Sequence, residues 1–118
     1  MLRWVLRSKI HNATVTDANL EYEGSITIDA ALLEKTGIQA FEMVMVNNLN
    51  NGERFETYVI AGKENAGEIC LNGPAARKGV RGDRLIIFSF GYVDETEMQE
   101  LSPTIITLNR DNQVLDVK

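Results

Sequence analysis

Short runs of β-branched and aromatic residues, cut every few positions by turn chemistry, commit this chain to a strand-built fold. "LRWVLRSKIHNATVT" (residues 2–16) opens the series. Its second half alternates, with Ile10, Asn12, Thr14 and Thr16 on one side and His11, Ala13 and Val15 on the other. "SITID" is a short strand. "FEMVMVNNL" and "RFETYVIAG" read as a hairpin, with Asn50 to Gly52 supplying the turn. "GEICLNG" is a further strand ending in a turn. "DRLIIFSFGYV" is apolar enough to expect burial on both faces. "TIITLN" and "QVLDV" form a last hairpin around "RDN". The helical pieces are short. "DAALLEKTG" has Asp29 as N-cap and Gly37 as C-cap. "PAARKG" is a single helical turn with Pro74 early, where a missing N–H costs little. "DETEMQEL" is an acidic helix capped by Asp94. About seven strands with short helical turns indicate a mainly β chain, a barrel or sandwich. Small barrels remove exposed edges and often bury leftover apolar faces by oligomerising.

The 118 residues suit one domain, 1–118, with one core. The net charge of −5 would repel a phosphate backbone on average. The nearest thing to a basic patch is Arg3, Arg7, Lys9 and His11, so no nucleic-acid partner is expected. One cysteine, Cys70, excludes an intrachain disulfide, and its apolar neighbours suggest a buried, inert thiol. A single histidine and a single cysteine make a zinc site improbable, and no metal is expected. Charges interrupt "MLRWVLRSKIH" before it reaches signal-peptide length, and no run approaches a membrane span. The expectation is a cytoplasmic protein with no membrane partner.

Chemistry is most visible at Gly24-Ser25, at the mouth of the "SITID" strand. One reading is a bulge or turn in which glycine supplies an unusual φ. The sharper reading is self-processing. A forced geometry would present the Gly24 carbonyl to Ser25 Oγ, and an N→O acyl shift would give an ester. β-Elimination would leave dehydroalanine, which hydrolyses to a pyruvoyl group. The dipeptide permits either. In "NGERFETYVIAG", Arg54, Glu56 and Tyr58 share one strand face, with Phe55, Thr57 and Val59 on the other. Arg54 could clamp a carboxylate through its fork, and Tyr58 could donate a proton. A solvated arginine and a half-buried strand tyrosine are the plainer alternatives. Lys9 and His11 share a face, either as an electropositive lip for an anion or as a charged guard on a strand edge. "CLNGPAA" is either a plain turn at Asn72-Gly73 or a nest of N–H groups before a helical turn.

Four separated stretches, "SKIHNATVT", "LEYEGSITID", "NNGERFETYVI" and "ICLNGPAARKGVRGD", closely resemble the pyruvoyl-dependent aspartate 1-decarboxylases along essentially the whole chain. The resemblance implies a double-psi β-barrel and a homotetramer with active sites at subunit interfaces. It implies cleavage between Gly24 and Ser25 into a β chain (1–24) and an α chain (25–118), with residue 25 becoming a covalent pyruvoyl cofactor. Thr57 resembles the threonine that assists processing, and Tyr58 the tyrosine that reprotonates the substrate. Arg54 and Lys9 resemble groups that hold substrate carboxylates. His11 and Tyr22 are similar to pocket neighbours. Asn72, Gly73, Pro74 and Ala75 resemble the segment that positions cofactor and substrate. Three positions depart from the pattern. Pro74 stands where alanine is common and removes one backbone donor. Asn12 replaces an arginine found in some members, and Asn47 a large aromatic.

The implied reaction converts L-aspartate to β-alanine and CO₂, for pantothenate and hence coenzyme A. A Schiff base to the pyruvoyl carbonyl supplies the electron sink that a carbanion needs. Arginine on the retained carboxylate suits a permanent, planar charge. An accessory maturation factor is compatible with the same chemistry. The rival reading is a non-enzymatic oligomeric β-barrel adaptor that stays uncleaved, with Ser25 left as serine.

Overall fold

The computed structural model describes residues 1–118. Nine strands make one mixed sheet: β1 (Arg3–Thr14), β2 (Asp17–Asn19), β3 (Ser25–Asp29), β4 (Met43–Asn48), β5 (Arg54–Gly62), β6 (Ile69–Asn72), β7 (Arg84–Val93), β8 (Thr104–Leu108) and β9 (Val114–Val117). Their order is β2-β6-β3-β5-β4-β7-β1-β8-β9. Three pairs are parallel, β1 with β8, β2 with β6 and β3 with β5, and the rest antiparallel.

The sheet wraps round because β1, near one end of that order, runs on in the chain to β2 at the other end. At the crossing, Val15 N–H donates to Asp83 O at 2.8 Å and Thr16 N–H to Ile69 O at 2.8 Å. The mainly β expectation holds, and the architecture is consistent with a β-barrel. Inside, Ile10, Ile26, Ile28, Val44, Val46, Val59, Ile69, Leu71, Leu85, Ile87 and Ile106 are sealed from solvent. Burying each such side chain contributes about 1.5–3 kcal/mol.

The helical pieces end where their caps dictate. In α1 (Ala30–Thr36), Asp29 accepts from Ala31 N–H, and Gly37 closes the helix with φ 75°. α2 (Glu95–Glu100) begins with a capping box between Asp94 and Glu97. A 3-10 turn spans Gly73–Arg77, with Pro74 in its first turn.

Two expectations are corrected and one unforeseen strand is added. First, β7 is not buried on both faces: Leu85, Ile87 and Ser89 are buried, while Ile86, Phe88 and Phe90 are half-buried on the other side. A large apolar content does not decide whether a second layer covers the outer face. Second, Asp17–Asn19 forms β2 against β6 despite its weak β-propensity. Third, the alternation in β1 does not run through. Asn12 adopts φ 64°, and the register shifts between His11 and Ala13. This bulge turns both Ile10 and Ala13 into the core and leaves Lys9 and His11 facing out.

Candidate active site

Ser25 is the first residue of β3 and is fully buried. It pairs across the ladder with Asn72, the last residue of β6. Asn72 Nδ2 donates to Ser25 Oγ at 2.9 Å and to Thr27 Oγ1 at 2.9 Å. The Ser25 hydroxyl donates in turn to the Glu23 carbonyl oxygen at 3.3 Å. Gly73 follows Asn72 in the left-handed region, with φ 65°. A Cβ there would stand 2.6 Å from Tyr22 O and 2.7 Å from Gly24 N, so glycine alone lets the two segments touch.

Gly24 opens onto a cleft of about 270 Å³ shared with Phe55, Glu56, Thr57, Pro74, Ala75 and Lys78. Gly24, Ser25, Thr57, Asn72, Gly73, Pro74 and Ala75 are therefore gathered by β3, β5, β6 and the 3-10 turn. Pro74 Cδ would lie 3.6 Å from a Cβ on Gly24, an ordinary contact. Tyr22 lines a separate cleft of about 390 Å³ that also holds Thr27, Cys70 and Asn72.

Tyr58 is one residue before Val59, the partner of Ile26 in the parallel β3–β5 ladder. This register puts Ser25 and Tyr58 level on neighbouring strands and on one face. The Tyr58 ring stacks on Phe41, centroids 6.4 Å apart.

Lys9, His11 and Arg54 are not brought to Ser25 within this chain. His11, Ile86, Asn47 and Arg54 form one level across β1, β7, β4 and β5, on the face turned away from the core. Lys9, Phe88, Met45 and Glu56 form the next outward level. Lys9 Nζ lies 5.7 Å from the Phe88 ring centre. β1 is paired on both sides, so Lys9 is no edge guard. Arg54 is exposed, and its Nε lies 2.9 Å from Met45 Sδ with no carboxylate on it. His11 Nδ1 and Asn47 Oδ1 are buried without hydrogen-bond partners. Burial first, then the Lys9 and Arg84 charges, push the His11 pKa below its usual value. Arg3 and Arg7 are taken up elsewhere, by Glu95 and by Glu42 with Ser89.

Sequence reasoning passed over Thr27 and Lys78, which carry no motif signal of their own; Cys70 is a buried free thiol as expected, and its sulfur lies 3.1 Å from Asn72 Oδ1, a contact the sequence did not announce. No three His, Cys, Asp or Glu side chains gather as a metal site would require. No helix is long and apolar enough to cross a membrane.

Known proteins are similar to this chain over most of its length. The model of a family described as aspartate decarboxylase matches residues 1–115. The aspartate 1-decarboxylase of Syntrophus aciditrophicus is 53% identical over 114 residues, covering 97% of this chain and 98% of that protein. That of Clostridium botulinum is 51% identical, covering 93% of this chain and 87% of its own. That of Desulfotalea psychrophila is 47% identical, covering 99% and 98%. With the family model spanning nearly every residue and relatives about half identical over most of their length, this chain belongs to the aspartate decarboxylase family of enzymes.

Proposed function

We propose that the chain decarboxylates L-aspartate to β-alanine and CO₂, using a pyruvoyl group made from its own Ser25, and that the product feeds pantothenate synthesis. The observation that carries this reading is the hydrogen bond from Asn72 to a buried Ser25 hydroxyl beside an unobstructed Gly24. The surroundings fit the group. Ser25 is out of water, Gly73 brings the backbone of residues 22–24 close, and Thr57 lines the cleft on which Gly24 opens.

In the maturation step, Ser25 Oγ attacks the Gly24 carbonyl carbon and the peptide C–N bond breaks as the ester C–O bond forms. Loss of the Ser25 α-proton expels the Gly24 carboxylate and leaves dehydroalanine. Water then enters and ammonia leaves. Asn72 holds Oγ in place, and Thr57, which lines the cleft onto which Gly24 opens, would donate to the Gly24 carbonyl oxygen as charge builds there. The resulting pyruvoyl carbonyl supplies the electron sink for loss of CO₂.

The remaining tasks fall to side chains. Arg54, with no protein carboxylate on its fork, is free to hold the retained carboxylate, and Lys9 adds positive charge to the same outward face. Tyr58, level with Ser25, returns a proton to the substrate Cα. Pro74 offers no N–H, so a backbone donor to the substrate falls to Ala75. We place the working site between copies of the chain in a homotetramer. Two features support this. Lys9 and Arg54 share no cleft with Gly24, and the outward face carrying them also exposes Trp4, Met43 and Tyr92.

An intact mass spectrum tests the reading. Two fragments split after Gly24 are expected, the larger lighter than its hydrolysis product by the conversion of an amino-terminal serine to pyruvoyl. Ser25→Ala should stay whole and inactive. Tyr58→Phe should split normally yet turn over aspartate far more slowly. A chain that stays whole after prolonged warming would favour the adaptor alternative.

A further inference from the structure

Asn72 touches Ser25 through one end of its amide, and the two ends are nearly identical in shape. What fixes which end faces the serine? The Thr27 hydroxyl does not, because it can donate or accept, and the Ser25 hydroxyl favours Nδ2 only through its long 3.3 Å bond to Glu23 O. The decision falls to the third partner. Cys70 Sγ lies 3.1 Å from Asn72 Oδ1, while Asn72 Nδ2 lies 2.9 Å from both hydroxyl oxygens. At this distance the S–H donates to Oδ1 and favours that end of the amide on its own side, although a thiol sulfur also accepts weakly. A thiolate would only accept and would select the opposite orientation.

We propose that Cys70 is a positioning residue for Ser25, acting through Asn72: its S–H holds the amide so that Nδ2 points at the Ser25 hydroxyl. The proposal rests on the self-cleavage reading above. Burial, then the nearby Asp17 and Glu68 carboxylates, push the thiol pKa up, against a smaller opposing hydrogen bond from the Asn19 backbone, which keeps the sulfur a donor. With Nδ2 on Oγ, the hydroxyl keeps its own hydrogen for Glu23 O, and an N–H is in place to stabilise Oγ as that proton leaves. The reverse orientation would present Oδ1 to Oγ and take up the serine proton without stabilising the oxygen. Cys70 itself forms no covalent bond in this scheme.

The test compares full-length Cys70→Ser, Cys70→Ala and Cys70→Val with the wild type. The uncleaved fraction is followed in time by intact mass, and melting temperature is recorded for each. Serine keeps a donor and should cleave close to the wild-type rate. Alanine and valine should cleave about tenfold slower, the loss of one oriented hydrogen bond, at similar melting temperature. Alanine cleaving at the wild-type rate, or serine as slow as alanine, would overturn the proposal. If the wild type never splits, the self-cleavage reading fails on its own. The Asn72 side-chain amide then decides the positioning claim in the intact chain. Slow hydrogen exchange in wild type and Cys70→Ser but fast exchange in Cys70→Ala supports it, and equal exchange in all three refutes it.

Discussion

Gly73 packs against Gly24 with no room for a side chain between them: a Cβ on Gly73 would lie 2.7 Å from Gly24 N and 2.9 Å from Gly24 Cα. The atoms in the way are backbone, so no rotamer change relieves the clash, and φ 65° adds its own strain. Gly73→Ala should cost about 1–3 kcal/mol in urea unfolding and leave most of the chain uncleaved. Gly24→Ala meets only Pro74 Cδ at 3.6 Å and should keep wild-type stability. Equal unfolding midpoints for Gly73→Ala and wild type would show that the 22–24 segment yields freely.

Arg54 makes no ion pair with a protein carboxylate and is therefore available to a ligand. Arg54→Lys preserves the charge and loses the planar fork. The expected result is a rise in KM for aspartate of about tenfold, with cleavage unaffected. An unchanged KM would remove Arg54 from carboxylate binding.

If Lys9 and Ser25 of different subunits complete one site, two dead variants should rescue each other. Lys9→Ala and Ser25→Ala chains, each of low activity alone, are co-expressed and the mixed oligomers assayed. Partial recovery is expected, because some sites draw both intact residues from separate chains. Activity no higher than the better parent would place Lys9 and Ser25 in the same subunit's site or remove Lys9 from the site.

His11 has a lowered pKa in the folded chain, chiefly from burial and next from Lys9 and Arg84. Below pH 6.5 the unfolded chain then binds more protons at this position than the folded one. The contribution of neutral His11 to stability is fully present above about pH 6.5 and is lost as the pH falls through the folded value. Denaturant midpoints measured from pH 7.5 down to 5 should therefore converge between wild type and His11→Gln as acid is added. Parallel curves would show that His11 titrates alike in both states.

Much of this was legible in the residues. The caps Asp29, Gly37 and Asp94 are local chemistry, and the structure uses each one as its type implies. The β4–β5 hairpin follows from turn residues between two apolar runs, and Gly52 takes the positive φ such a turn needs. Gly24, Ser25, Thr57 and Asn72 stand out together only through the resemblance of their stretches to a known family; by itself the Gly24-Ser25 dipeptide permits a plain turn.

What the sequence determined by itself is local: which stretches become strands, where helices start and stop, and which residues carry reactive groups. Pairing was decided only in three dimensions. β2 has little strand propensity and exists because β6 offers it a ladder. The bulge at Asn12 resets the inside and outside of β1, and no periodicity announces it. Asn112, 98 residues from Thr14, bonds the backbone there at both N–H and C=O and reaches Gly67 O as well. The Asn72–Ser25 contact spans 47 positions, and Cys70 acquires its meaning only through it. The reason is physical. Propensity and capping act within a few residues, whereas register, burial and hydrogen-bond direction depend on which distant strand supplies the missing partner.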